Sequence, residues 1–348
     1  MNTKLQLVSI VLLLAGGAAA YAADAPAEEE EVVQKSTYAI IADNGMSLNG
    51  IEMNGIEMNG IEMNGIEMNG IEMNGTLLTG VRADTGQVVS GVGFMGTTMT
   101  GVLSNGAEIS LYVAKIEPSS DPDIWLYTVL IWNGASWVSL CGDSALGPIQ
   151  AIPLEGRWDY SQGTPTGGDH IDDPGSLTFG CMGAALAKCA MFGYKPWETV
   201  EECTGSQCVD VPLRPLHQAC TRMVRGDYCG DGQPHTVDGT PIDLWDSFGV
   251  QAPASPSTKQ GMKWTKEAEW SAEGAVCVSK ERLHTTEAAA YINAHCPERR
   301  NASFACFGAA STFHTPNAHA TPLASRSLLR NEFEDGPLQP SLSRHSGD

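Results

Sequence analysis

IWLYTVLIWNGASWVSLC, residues 124–141, reads as a β-hairpin that ends on a cysteine. Ile124 to Trp132 and Trp137 to Cys141 are rich in β-branched and aromatic residues, the types that fit a pleated, half-buried surface. Asn133-Gly134 between them accepts the positive φ angles that a tight hairpin turn demands. Upstream, Ile109 to Ile116 has the same character, so three strands are expected to follow one another here. Beyond the hairpin the period changes from two to nearly four. Gly183 to Phe192 sets Ala185, Cys189 and Phe192 on one face, with Gly193 as a stop and Pro196 beyond, which predicts a helix. Pro215 to Arg225 predicts another, with proline in its first turn, Leu216, Cys220 and Met223 on one face, and Gly226 after it. Thr286 to His295 predicts a third short helix, preceded by a strand around Ala275 to Ser279. The fold class implied is α+β: a strand-rich, disulfide-rich domain with two or three short helices and long loops.

The N-terminus points to export. Lys4, a mostly apolar run from Leu5 to Leu14 and the small residues Ala20-Tyr21-Ala22 have the three parts of a cleavable signal, residues 1–22. The run is shorter than the roughly 20 apolar residues that a membrane helix needs, and no later segment reaches that length, so no membrane span is expected. In an oxidising compartment, Cys141, Cys181, Cys189, Cys203, Cys208, Cys220, Cys229, Cys277, Cys296 and Cys306 are most simply five disulfides. Spacing does not give their connectivity, although Cys203 with Cys208 and Cys296 with Cys306 would close short loops. Paired CxxC clusters and HExxH are both missing from the sequence, so no metal and no cofactor is expected.

The net charge is −21. Between residues 23 and 110, 13 acidic side chains face only Lys35 and Arg82. Such a chain has no basic patch with which to neutralise phosphates, which excludes nucleic acid as a partner. Residues 23–44, with Glu28 to Glu31, read as an acidic linker. Residues 45–106 carry glycine every fifth position, with one extra residue before Gly86, and Asn-Gly-Ile-Glu-Met is repeated without variation from Asn49 to Met73. In that unit Ile51 and Met53 share a side and Glu52 points away, as in an extended segment with Asn54-Gly55 at the corner. The array resembles the pentapeptide-repeat family, which implies a four-sided β-helix. Five unvaried copies instead favour a flexible or partly ordered spacer grown by slippage. A cysteine-rich domain over 107–310 and a polar tail over 311–348, expected to be disordered, complete the chain.

His217-Gln218-Ala219-Cys220-Thr221-Arg222-Met223-Val224-Arg225-Gly226-Asp227-Tyr228-Cys229-Gly230-Asp231-Gly232 resembles the signature of the ADYC domain, a cysteine-rich module of secreted proteins in myxobacteria and related bacteria. Phe179-Gly180-Cys181, Lys188-Cys189, Gly193-Tyr194-Lys195-Pro196-Trp197, Asp238-Gly239-Thr240-Pro241-Ile242-Asp243 and Trp270 to Cys277 support it in order, with Gly226 standing where the family has alanine. The signature residues are thus His217, Cys220, Arg222, Asp227, Tyr228 and Cys229. The resemblance implies compartment and architecture, and it carries no reaction with it. His217 and Asp227, beside Cys220 or Cys229, contain the residue types of a base, an orienting acid and a nucleophile, and are the candidate catalytic pair. The alternative is structural: a helix face, oxidised cysteines and a hydrogen-bonded turn at Asp227-Tyr228.

Asp227, Asp231, Asp238, Asp243 and Asp246 could offer oxygens to calcium but lack the spacing of a calcium loop. Arg225-Gly226-Asp227 spells an integrin-type tripeptide. The tryptophans, among them Trp125, Trp132, Trp137 and Trp158, suit core packing or stacking on sugar rings. The reading favours a secreted, non-enzymatic module, extracellular or at the cell envelope, that binds an extracellular or envelope ligand or gives structural support. The alternative is a secreted hydrolase with an unrecognised site. N-terminal sequencing of exported protein is expected to begin at Ala23; an intact Met1 in that fraction would overturn the reading of residues 1–22.

Overall fold

The computed structural model describes residues 56–57, 61–63, 66–82, 86–102, 108–174, 176–204, 206–236, 240, 242–252, 264–282, 286–300, 306 and 323–328. The signal, the acidic linker and the first repeat copies up to residue 55 lie outside the described residues, and so do the four-sided β-helix and the flexible spacer as accounts of them.

The hairpin read from residues 124–141 is present as strands Trp125–Trp132 and Trp137–Ser139, paired through Trp132 and Trp137 around Asn133-Gly134. The Asn133 carboxamide oxygen accepts from the backbone N–H groups of Ala135 and Ser136 at 3.0 and 2.9 Å, and Gly134 has φ +94°. Trp125–Trp132 pairs with Glu108–Pro118, which in turn pairs with Thr98–Val102. These strands are part of an 11-stranded antiparallel sheet that also takes in Ala151–Glu155 and Ser176–Cys181 on one side and Ile66–Asn74, Leu77–Arg82 and Val88–Ser90 on the other.

The change of pattern read at residue 107 is therefore no break in the fold. Leu78, Phe94 and Met99 from the glycine array lie in one core with Leu111, Val113, Tyr127 and Val129. The Asn-Gly and lone glycine turns that would suit the corners of a coil suit antiparallel turns equally well. Gly75, at φ +58°, shows the close approach such a turn can require: a Cβ there would lie 2.5 Å from the Asp123 carbonyl oxygen.

The second core surrounds the helices. Helix α1 is Ala185–Met191, α2 is Arg214–Arg225 and α3 is Thr286–His295, each close to its sequence-predicted span. α2 carries proline in its first turn and Gly226, at φ +64°, after its last. It packs on α1 and on a four-stranded sheet made of Ile242–Trp245, Leu323–Leu328, Trp264–Ser271 and Gly274–Val278 in that order. Every residue of α2 from Leu216 to Arg225 is buried, so the helix lies inside the domain rather than on its surface. Leu323–Leu328 corrects the expectation of a disordered tail for those residues. The segment lies between two remote strands, with Leu323 and Ser325 buried, and its pairing partners are too distant in the chain to be read from local composition.

All ten cysteines are bonded: Cys141–Cys181, Cys189–Cys220, Cys203–Cys208, Cys229–Cys296 and Cys277–Cys306. The expected Cys203–Cys208 pair joins directly opposed residues of the hairpin Thr199–Thr204 and Gln207–Pro212. The expected Cys296–Cys306 pair is overturned, because the end of α3 lies against the turn after α2 and its cysteine meets Cys229 there. The two cysteines read on the buried stripes of α1 and α2 bond each other. Because they stand 31 positions apart in sequence, removing Cys189 and Cys220 together is expected to cost about 3–4 kcal/mol by loop-closure entropy. Peptide mapping without reduction should recover the 229–296 and 277–306 crosslinks; a linked 296–306 peptide would contradict this connectivity.

Candidate functional site

The signature runs from inside α2 into the loop that follows, and its chemistry is organised around the end of the helix. An α-helix leaves its last four carbonyls without intrahelical donors. Here each finds one. Asp227 N–H donates to Arg222 O at 2.9 Å, Gly226 N–H to Met223 O at 3.0 Å, and His235 N–H to Arg225 O at 3.1 Å. Arg282 supplies the rest, donating to Met223 O at 2.6 Å and Val224 O at 3.0 Å, and places a cation at the negative end of the helix dipole. The same guanidinium pairs with the buried Glu267 carboxylate at 2.9 Å, which also accepts from the Tyr228 hydroxyl at 2.9 Å. Burial raises the Tyr228 pKa well above its ordinary value, so the hydroxyl stays protonated as a donor.

Asp227 is fully buried and accepts from every side. Oδ1 takes the backbone N–H groups of Gly230 and Asp231 at 3.0 and 3.1 Å, while Oδ2 takes Gly232 N–H at 3.0 Å and the Arg222 guanidinium at 2.5 Å. Arg222, 1% exposed, also donates to Gly167 O and Ala272 O and pairs with Asp169. The expected hydrogen-bonded turn at Asp227-Tyr228 is thus a carboxylate seated in three backbone N–H groups. Arg225-Gly226-Asp227 is sealed inside it: Arg225 is 3% exposed and donates to Gly232 O at 2.6 Å.

His217 has different surroundings. Its Nε2–H donates to the Leu186 carbonyl in α1 at 3.0 Å, and its ring stands edge-on to Trp158 with centroids 6.1 Å apart. Trp158 is itself fixed by donating to the Gln218 carboxamide at 3.1 Å. Burial of the His217 ring holds its pKa down at about 4, against the opposing effect of the Leu186 hydrogen bond. His217 and Asp227 share no partner, and the nearby cysteines are oxidised, Cys220 to Cys189 and Cys229 to Cys296. The structure does not bring the candidate base, acid and nucleophile together.

The aspartates considered for calcium are similarly separated. Asp231 accepts from Tyr291 and Gln233, Asp246 from Tyr194, Phe248, Val250 and Gln251, and Asp238 lies outside the described residues. Glu201 stands beside Cys203 and Cys208, but both sulfurs are joined to each other and offer no thiolate. Among the described residues, no helix is long and apolar enough to cross a membrane. Arg282 and Glu267 escaped the sequence reading. A charged residue in a polar stretch carries no local mark of burial, and only the arrival of the α2 terminus above them creates one.

The family model of the ADYC domain matches residues 91–284, more than half of the chain. The match begins inside the glycine array and ends just after Arg282. No curated protein and no solved structure gives a significant match.

The depressed pKa of His217 has a definite consequence for stability. The unfolded ring, with its ordinary pKa near 6.5, takes up a proton before the folded one does, so stability is full above about pH 6.5 and declines as the pH falls toward 4. The loss from this group is expected to reach about 3 kcal/mol at the acid end. Melting temperatures measured across that range should fall less steeply for His217→Gln, which keeps a donor and does not titrate; parallel curves for the two proteins would refute the assignment.

Proposed function

Since the chain belongs to the ADYC domain family, we propose that it is an exported, disulfide-stabilised module that acts outside the cytoplasm by binding or structural support, without turnover chemistry. The observation that carries this reading is the engagement of the whole signature in the fold. His217 is a buried donor to a carbonyl, Cys220 and Cys229 are crosslinks, and Arg222 and Asp227 are a buried ion pair that closes a helix end. Groups held this way are poorly placed to exchange protons with a substrate, because His217, Arg222 and Asp227 are buried and engaged with protein partners and both cysteines are oxidised. Export is supported by the signal-like residues 1–22 and by five disulfides, which persist in oxidising compartments. Residues 23–44 serve in this reading as an acidic linker ahead of the domain.

The disulfide-intact protein is expected to show no turnover of peptide, ester or glycan substrates. His217→Ala should lower the melting temperature and change nothing else. Turnover by the wild-type protein that disappears in a His217→Ala variant still folded by near-ultraviolet circular dichroism would overturn the non-enzymatic reading.

A further inference from the structure

The tryptophans range from fully buried to exposed. Trp158 and Trp270 are fully buried, whereas Trp132 and Trp137 are 43% and 40% exposed. The register explains this. Leu111, Val113, Val129 and Ile131 point into the core, so the residues alternating with them point out. Trp132 pairs with Trp137, and one step along, Leu130 pairs with Ser139 on one side and Tyr112 on the other. Tyr112 pairs in turn with Thr98, and Ser110 with Thr100. The outward face therefore carries three rings beside a row of hydroxyls. The rings touch: Trp132 and Trp137 meet edge to face with centroids 5.6 Å apart, and Tyr112 and Trp137 meet at 5.6 Å with a 46° tilt.

We propose that this face is a binding platform for a neutral polysaccharide, a reading that rests on the non-enzymatic binding role proposed above. A pyranose ring presents an apolar face of axial C–H groups and an equatorial belt of hydroxyls. The exposed tryptophan rings and the half-buried Tyr112 ring stack on the first, and Thr98, Thr100 and Ser110 meet the second. The tilted arrangement gives successive sugar rings surfaces at different angles, as a twisted glycan chain requires. Charge selects the class. The charges in register with these rows are acidic or already paired: Thr98 pairs on its other side with Glu62, Glu108 starts the strand that carries Ser110, and the next row holds Lys115 paired with Glu117. On a chain of net charge −21, an anionic polymer would meet only repulsion. A protein partner fits less well, since stable protein interfaces bury about 800 Å² on each side and this cluster of three rings is far smaller. Sugar stacking needs only ring-sized contact areas.

The test uses the mature, disulfide-intact protein with insoluble cellulose, chitin and curdlan as neutral probes and alginate as the anionic one. Retention on at least one neutral polymer is expected, with a blue shift of tryptophan emission as the rings are covered. Trp132→Ala and Trp137→Ala should each weaken binding by about tenfold or more, and Trp137→Phe should restore part of it, all with unchanged melting temperatures. The inference is overturned if no neutral polymer retains the protein, if retention is unaltered by both alanine variants, or if alginate alone retains it. A dimer in sedimentation that dissociates in the Trp132→Ala/Trp137→Ala variant would also overturn it, by giving the face to a second copy. Absence of both turnover and glycan retention would remove this inference alone, whereas turnover would remove the reading beneath it.

Discussion

The pairing of Arg222 with Asp227 at the exit of α2 is the constraint on which the rest of the domain depends. Both charges are removed from water, and such a pair is tolerable only when the remaining donors and acceptors are satisfied. They are: three N–H groups complete Asp227, and two carbonyls and Asp169 complete Arg222. The two carbonyls belong to Gly167 and Ala272, far apart in sequence, so one guanidinium locks a loop and a β-turn to the helix. The glycines of the signature loop follow from this closeness. A Cβ on Gly230 would lie 1.9 Å from Glu273 O, and one on Gly232 2.3 Å from Ser161 O. Only a chain without side chains at these points can pass between the segments that Arg222 holds.

The crosslinks reinforce the same centre. Cys189–Cys220 fixes α2 to α1, and Cys229–Cys296 fixes the loop after α2 to the end of α3. Cys141–Cys181 ties the end of the hairpin to Ser176–Cys181, another strand of the same large sheet and the one that leads into α1. Long loops order little apolar surface for their length, and crosslinks lower the entropy of the unfolded chain where burial does not. The family signature is thus a set of instructions for closing a helix. Recognition by such a motif speaks to fold, while what the module meets is decided by surfaces outside it, where residues are free of that duty.

Local chemistry made much of this legible in the sequence. The Asn133-Gly134 hairpin, the three helices with their proline and glycine boundaries, and the short Cys203–Cys208 loop all depend on residues within a few positions of one another. The even number of cysteines in an export context gave five bonds without their partners. Cys296 chose Cys229 over its near neighbour Cys306 because α3 docks on the loop after α2, and docking is a property of the folded chain. The role of the glycine array was equally out of reach, since the same turns serve a coil or a sheet and only the shared core with Leu111 and Val113 distinguishes them.

What the sequence determined by itself was the kind of element at each position, the oxidised state of the cysteines and the sign of the surface, all of which follow from residue type and short-range spacing. What only the tertiary structure decided was exposure. His217, Arg222 and Asp227 have the side chains of an active site and are buried, whereas Trp132 and Trp137 have the side chains of a core and face solvent. Burial depends on which remote segments come to rest above a residue, and Trp132 and Trp137 are turned to solvent by the register of one strand against its neighbours.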